Sequence, residues 1–173
     1  YETSDEMLKG LTELTDGISD KENLEMVIKF RAGPEFSLDS LNLLLSPLPE
    51  NVIVDNESLF LDVLGKADLL VSFSSTTIEE ALVNDIPVLL YGGGGRYAHI
   101  PVAPYKNGDA VEKAVTFIKR KEQLIDYFTA LNQKSSSFTV PSEEFDPYRF
   151  KKGDAVEFSD WFFSDKIKSM AAA

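Results

Sequence analysis

The sequence predicts an α/β domain built on a parallel sheet with helices on both faces. Short apolar runs alternate along the chain with stretches of helical period, as repeated β-α-β units require. One such unit, residues 67–95, is written out almost completely: an apolar run through Leu69, Val71 and Phe73, four hydroxyl residues at 74–77, Glu79 and Glu80, then a second apolar run at 88–91. That is a strand, a turn, a helix and a returning parallel strand. The mouth of such a unit, where the strand's carboxyl end meets the helix's amino end, is where α/β proteins hold anionic ligands.

The other elements follow in order. Met7, Leu8, Leu11 and Leu14 recur at helical spacing after Ser4, so the chain opens on a helix with a cap but no capping box. Residues 24–30 read as a strand that ends in Lys29, Phe30 and Arg31 before the breaker Gly33-Pro34. Phe36, Leu38, Leu41, Leu44 and Leu45 predict a short helix stopped near Ser46-Pro47. A short strand is expected at 51–54, and a helix at 58–65 with Leu59, Phe60, Val63 and Leu64 on one face. Residues 109–131 give the longest helical pattern, with Val111, Ala114, Val115, Ile118, Ile125, Phe128 and Leu131 on one stripe. Beyond Lys134, a serine triplet with Pro141 and Pro147 predicts irregular chain, followed by an aromatic cluster at Phe158, Trp161, Phe162 and Phe163. The expected division is a domain over 1–133, an irregular extension with an aromatic helix over 134–170, and a scar or unassigned residues at 171–173.

Composition narrows the function. The chain has 173 residues, enough for one domain with a sizeable core. Its formal charge of −12 repels phosphate polymers at long range and disfavours nonspecific binding to nucleic acid or anionic membrane. An anionic ligand must therefore be held by local groups. The absence of cysteine excludes disulfides and thiolate chemistry and fits a cytoplasmic setting, and a single histidine, His99, argues against a histidine metal site. His99 is expected at the surface. No apolar run approaches the roughly 20 residues of a membrane helix.

Ser74, Ser75, Thr76 and Thr77 stand where a strand hands over to a helix, and two readings apply to them. The first turn of a helix leaves amide N–H groups unpaired, so hydroxyls there can join them around a diphosphate. Equally, Thr76 with Glu79, or Thr77 with Glu80, has the capping-box spacing, and capping alone would account for the residue types. A carboxylate one turn further in, Glu80 above all, could accept both hydroxyls of a ribose; its other role is a favourable charge near the helix amino end. Lys29 and Arg31 end a strand at the same sheet edge, where they either counter a phosphate or simply reach water. Gly93 and Gly94, within the run 92–95, either let backbone approach a ligand or form a plain turn. Neither the glycine-rich dinucleotide fingerprint nor the Walker loop precedes the helix.

The segment SSTTIEEALVNDIPVLLYG resembles the signature of the carboxyl-terminal, nucleotide-sugar-binding half of GT-B glycosyltransferases and of the related UDP-N-acetylglucosamine 2-epimerases. The likeness rests on Ser74, Ser75 and Thr76 at the turn, Glu79, Glu80 and Ala81 at the helix, and Pro87-Val88 at the strand. Ser75 and Thr76 stand where the epimerases carry glycines, and serine-rich turns are closer to the polysaccharide and teichoic-acid polymerising transferases. Those enzymes often carry Lys-x-His-Pro after the second strand of this domain; here Lys29-Phe30-Arg31-Ala32 keeps the lysine and puts arginine in place of histidine.

The resemblance implies a Rossmann-like three-layer domain forming one half of a GT-B fold, beginning after that domain's first strand. It implies a nucleotide-diphosphate sugar as substrate, with the diphosphate at the turn and the ribose on Glu80. It further implies no metal or other cofactor and an acceptor-binding amino-terminal domain as partner, with Phe158, Trp161 and Phe162 either on a terminal helix that crosses back to that domain or in ordinary core packing. The expected work is donor binding for cell-surface polysaccharide synthesis, in the cytoplasm or at the inner face of the membrane through other parts of the protein. Catalytic residues are not identified, and the isolated chain is expected to be almost inactive. The alternatives are an epimerase-like enzyme fragment and a noncatalytic Rossmann-like module for protein contact.

Overall fold

The computed structural model describes residues 4–30, 37–73, 75–92, 100 and 102–149. Arg31, Ser74, Gly93, Gly94, His99 and the aromatic cluster Phe158, Trp161, Phe162 and Phe163 lie outside the described residues.

Helices and parallel strands alternate: α1 (Ser4–Ile18), β1 (Met26–Lys29), α2 (Leu38–Leu44), β2 (Val52–Asp55), α3 (Phe60–Leu64), β3 (Leu70–Ser72), α4 (Thr77–Val83), β4 (Val88–Tyr91), β5 (Val115–Ile118) and α5 (Lys121–Lys134). The strands form two sheets. β1 pairs in parallel with β2 from Met26↔Val52 to Lys29↔Asp55. In the second sheet β4 lies between β3 and β5, again all parallel, with Leu70↔Val88 and Val88↔Val115 in register.

Period-two alternation sorts the strand side chains onto two cores. Leu89, Tyr91 and Ile118 join a cluster with Leu14 and Ile18 of α1, Leu41 of α2 and Leu124, Tyr127 and Phe128 of α5. Val88, Leu90, Val115 and Phe117 face the other way, against Leu64 of α3 and Ile78, Ala81 and Leu82 of α4. Strands β4 and β5 are buried at every position, the pattern of parallel strands covered on both sides. Among the described residues the sheet β1–β2 is packed against a core on one face. Ile28 and Val52 enter the first cluster, while Val27 and Ile53 on the opposite face are 38% and 48% exposed.

β5 corrects the expectation of one helix over 109–131. Val111, Ala114, Val115 and Ile118 happen to fall at helical spacing, but Val115, Thr116, Phe117 and Ile118 form a strand buried on both faces. Such a strand shows no alternation, and β-branched residues at three of its positions fit a pleated surface better than a helix. The helix begins only at Lys121. The segment before β5 is tied to α5: the Tyr105 hydroxyl and the Gly108 N–H both donate to Asp126 Oδ2, at 2.8 and 3.0 Å. Tyr105 N–H donates to the Phe117 carbonyl at 2.7 Å, so Pro104 and Tyr105 lie along the outer edge of β5.

Helix α1 reaches Ile18, past the expected end at residue 14, and packs against α5. Two glycines allow the approach. A Cβ on Gly10 would lie 2.5 Å from Cε1 of Phe73, and one on Gly17 would lie 3.2 Å from Cδ2 of Phe128. Asn51, at the start of β2, donates its side-chain amide to the carbonyls of Ile18, Lys21 and Leu24 at 2.9, 3.2 and 3.0 Å. It thereby ties the carboxyl end of α1 and the turn after it to β2, adding to the Lys21 and Leu24 N–H groups that the Ile18 and Lys21 carbonyls already accept.

The described part of the irregular extension is two 3-10 turns, Ser135–Ser137 and Ser142–Tyr148. Phe145 in the second is 2% exposed and belongs to the α3–α4 core. Arg149 fastens the same turn with 2.8 Å to Asp85 Oδ1, 2.9 Å to Asp146 Oδ1 and 2.9 Å to Ser142 Oγ.

Two stability predictions follow from these contacts. Phe145→Ala is expected to lower the unfolding free energy by roughly 3–5 kcal/mol in urea titrations, as for a core aromatic, although it lies beyond the last helix. Gly10→Ala gains about 1 kcal/mol of helix propensity but overpacks Phe73 at a cost of about 1–3 kcal/mol. The net expectation is destabilisation, partly relieved in the double variant Gly10→Ala/Phe73→Leu.

Candidate functional site

The parallel strands put their carboxyl ends together in each sheet. In the first sheet these ends carry Lys29 and Asp55, paired directly opposite each other. In the second, β3 ends at Ser72 and runs within a few residues into Ser75, Thr76 and α4, while β4 ends at Tyr91 and the buried Gly92.

The order of the two sheets follows from the covering helices. α2, which connects β1 to β2, packs into the first core, and α4, which connects β3 to β4, packs into the second. Right-handed crossovers with helices on opposite faces progress in opposite directions across a common layer. The strands then run either β2-β1 beside β3-β4-β5, or β3-β4-β5 beside β2-β1. Pro104 and Tyr105 occupy the outer edge of β5, which leaves the first arrangement, with β1 and β3 on the inner edges. That order rests on the handedness rule, since among the described residues no pairing joins the two sheets; it would reverse the winding between β1 and β3, where open α/β sheets place ligands beyond their carboxyl ends. Lys29 closes one of the two inner strands, and the turn of Ser75, Thr76 and Thr77 follows the other.

Among these residues the turn is partly self-satisfied. The Thr77 N–H donates to Ser75 Oγ at 3.3 Å and the Ile78 N–H to the Ser75 carbonyl at 3.2 Å. Neither expected capping box forms. Thr76 occupies the N-cap position with φ −65° and ψ −14°, a helical conformation, and makes no side-chain cap. An N-cap side chain reaches back to the first amides from extended backbone, so a residue already wound into the helix cannot do so. The Thr76 side chain is exposed, Ser75 and Thr77 are half-buried, and Glu80 is exposed one turn along. The backbone carbonyl of Glu80 accepts from Asn84 Nδ2 at 2.7 Å.

Lys29 neither runs out into water nor stands as an isolated cation. Its ammonium lies 3.7 Å from Asp55 Oδ1, with the two side chains 18% and 21% exposed. The same Asp55 oxygen accepts the N–H groups of Glu57 and Ser58 at 2.9 and 3.0 Å. These bonds hold the carboxyl pKa down at about 2, the Ser58 backbone first, then the Ser58 hydroxyl and the Glu57 N–H, with Lys29 adding a smaller share. The site is thus a lysine and a carboxylate fixed by its own turn at one inner edge, and a hydroxyl turn opening a helix beyond the other. Asp55 is the residue that the sequence reading passed over. The signal was the run Val54-Asp55-Asn56-Glu57-Ser58, in which an aspartate at a strand end precedes amides that its side chain can accept.

The Asp55 contribution to stability has a defined pH window. A carboxyl whose folded pKa is depressed stabilises the fold in full above its ordinary value of 3.8, and that stabilisation disappears as pH falls toward about 2. The stability difference between the native chain and Asp55→Ala, from urea titrations at a series of pH values, is expected to be flat from pH about 5 upward and to shrink below pH about 4. Comparison of the chain with family models, with curated proteins and with solved structures finds no match.

Proposed function

We propose that this chain is the donor-binding domain of a GT-B glycosyltransferase that takes a nucleotide-diphosphate sugar, in cell-surface polysaccharide synthesis. The observation that carries the reading is that Lys29 and the Ser75-Thr76-Thr77 turn each stand at the carboxyl end of a strand in a parallel sheet, Lys29 ending β1 and the turn following β3. A Rossmann-like domain binds nucleotides beyond the carboxyl ends of its strands. The motif likeness at 74–91 supports the same assignment.

In this reading the diphosphate lies over the turn, where the hydroxyls of Ser75 and Thr76 and the first amides of α4 donate to its oxygens. Thr77 N–H exchanges its long 3.3 Å bond to Ser75 Oγ for a charge-assisted one. Donors fixed where negative charge builds on the leaving diphosphate lower the barrier to sugar transfer. Lys29 adds its charge from the neighbouring strand end. Asp55 limits that contribution, because a phosphate must share the ammonium with a carboxylate already 3.7 Å away. Glu80, exposed a turn further along, accepts the ribose hydroxyls. The acceptor and the base that deprotonates it belong to the partner domain, so this chain alone binds without appreciable turnover.

The test is a heteronuclear NMR titration of the chain with UDP, CDP and GDP, their sugars and CMP-sugars at millimolar concentration. Shift changes are expected to cluster at residues 75–80 and at Lys29, with larger effects for the diphosphates than for the CMP-sugars. Thr76→Val should weaken diphosphate binding by about tenfold, the loss of roughly one hydrogen bond to a charged group. Glu80→Gln should weaken nucleotides carrying ribose more than inorganic pyrophosphate. A response confined to UDP-N-acetylglucosamine, with no dependence on Thr76, would favour the epimerase reading. No shift with any nucleotide would leave a protein-contact module in its place.

A further inference from the structure

Exposed apolar surface is concentrated on the first sheet and its helices. Six of the eight large apolar side chains exposed among the described residues lie there: Val27, Leu43, Leu44, Ile53, Leu59 and Leu61. Val27 and Ile53 stand opposite each other in register and so share a face. Among the described residues β2 pairs only with β1. The Asn51 carbonyl accepts from Met26 N–H, so the alternation of a parallel ladder turns the main chain of Val52 and Val54 away from β1. Val52–Asp55 contains neither lysine nor proline, the residues that commonly block such an edge. The charge here is one-sided as well. Residues 37–65 hold five acidic residues, Asp39, Glu50, Asp55, Glu57 and Asp62, and no lysine or arginine. Asp55 is engaged by Lys29 and its own turn, whereas Asp39, Glu50, Glu57 and Asp62 are exposed and form no ion pair with a described residue. Elsewhere carboxylates are matched within the chain, Asp16 by Lys121, Glu144 by Lys113 and Asp85 by Arg149.

We propose that the edge of β2 away from β1 receives an extended segment of a protein partner, apolar in its middle and flanked by lysine or arginine. A strand added there pairs with the main chain of Val52 and Val54 and turns alternate side chains to the two faces of the sheet. One face is that of α2, which packs into the first core and carries Leu43 and Leu44; the other is that of Ile53 and of α3, which packs into the second core. Charge selects the occupant. Cations flanking the segment answer Glu57 and Asp62 beyond the carboxyl end of β2 and Glu50 before its amino end. A second copy of this chain would instead set the same unmatched carboxylates against one another, and an anionic membrane or nucleic acid is repelled. This docking edge stands independently of nucleotide binding, which involves none of these leucines or unmatched carboxylates.

The test titrates the full chain with three synthetic peptides, Lys-Lys-Val-Ile-Val-Lys-Lys, Glu-Glu-Val-Ile-Val-Glu-Glu and Lys-Lys-Ser-Gly-Ser-Lys-Lys, read by NMR shifts and amide hydrogen exchange, with light scattering to fix the mass. The first peptide is expected to shift residues within 43–62 and to slow exchange at Val54 by about tenfold when its free concentration is about ten times its Kd. The acidic and serine peptides are expected to do neither. Glu57→Gln/Asp62→Asn should weaken the first peptide about fivefold, as loss of two exposed charge pairs does. Leu59→Ser/Leu61→Ser should weaken it about tenfold, and with those side chains 71% and 63% exposed the variant keeps the native spectrum elsewhere. Equal binding of the acidic or the serine peptide would overturn the proposal, as would shifts centred on other residues. So would protection of Val54 in the chain alone, whether by its own carboxyl-terminal residues or by a second copy seen as a dimer mass.

Discussion

Among the described residues the two sheets are joined by side chains and not by strand pairing, and α1 is the joint. Its apolar stripe, with Leu14 and Ile18 buried, lies in one cluster with residues of both sheets and of α5. The joint requires close approach, and that explains why a helix of this length tolerates Gly10 and Gly17, each of which costs about 1 kcal/mol of helix propensity relative to alanine. Being seven residues apart, they fall on one side of the helix and let it settle against Phe73 and Phe128. Asn51 fixes the remaining freedom, because three carbonyls around the end of α1 converge on one side-chain amide rooted in β2. The position of the first sheet relative to the second, and so of the groups at their strand ends, depends on this helix.

Those strand ends carry groups of unequal readiness. The turn after β3 offers hydroxyls whose existing bonds are local and long, with Thr76 exposed and making no cap. Lys29 is more constrained. Its partner Asp55 is an anion stabilised mainly by backbone N–H groups, so it keeps its charge across the whole physiological range. A lysine beside such a carboxylate is a weaker counter-charge for phosphate than an unpaired one, but it is better positioned, because the pair spans two strands in fixed register.

Much of this architecture was legible in the sequence wherever a local rule and the tertiary environment agree. The unit from β3 to β4 was read in its right order because turn residues, apolar runs and the helix start all point the same way. β5 was hidden because burial on both faces erases the alternation that marks a strand, and its apolar residues then continue the stripe of α5. The capping boxes failed for a different reason: spacing specifies which side chains could cap, whereas the backbone of Thr76, already helical, decides whether they do. Lys29 was identified at a strand end, but its pairing with Asp55 depends on β1 and β2 meeting in register across 26 residues of chain, which no local pattern encodes. Tyr91 and Glu13 are joined in the same nonlocal way.

The packing of α1 on α5 also bears on how the chain acquires its structure. These helices lie near opposite ends of the described sequence, and polar contacts repeat the connection, with Lys121 Nζ 2.9 Å from Asp16 Oδ2 and the Asn23 N–H 3.0 Å from Asn132 Oδ1. Contacts of such sequence separation close a very large loop and slow folding relative to local ones. During synthesis the apolar stripe of α1 emerges first and must wait for α5 before its core is complete. Until then it is exposed to other chains, so the interval between making the first helix and the last is when this protein is most open to misassociation.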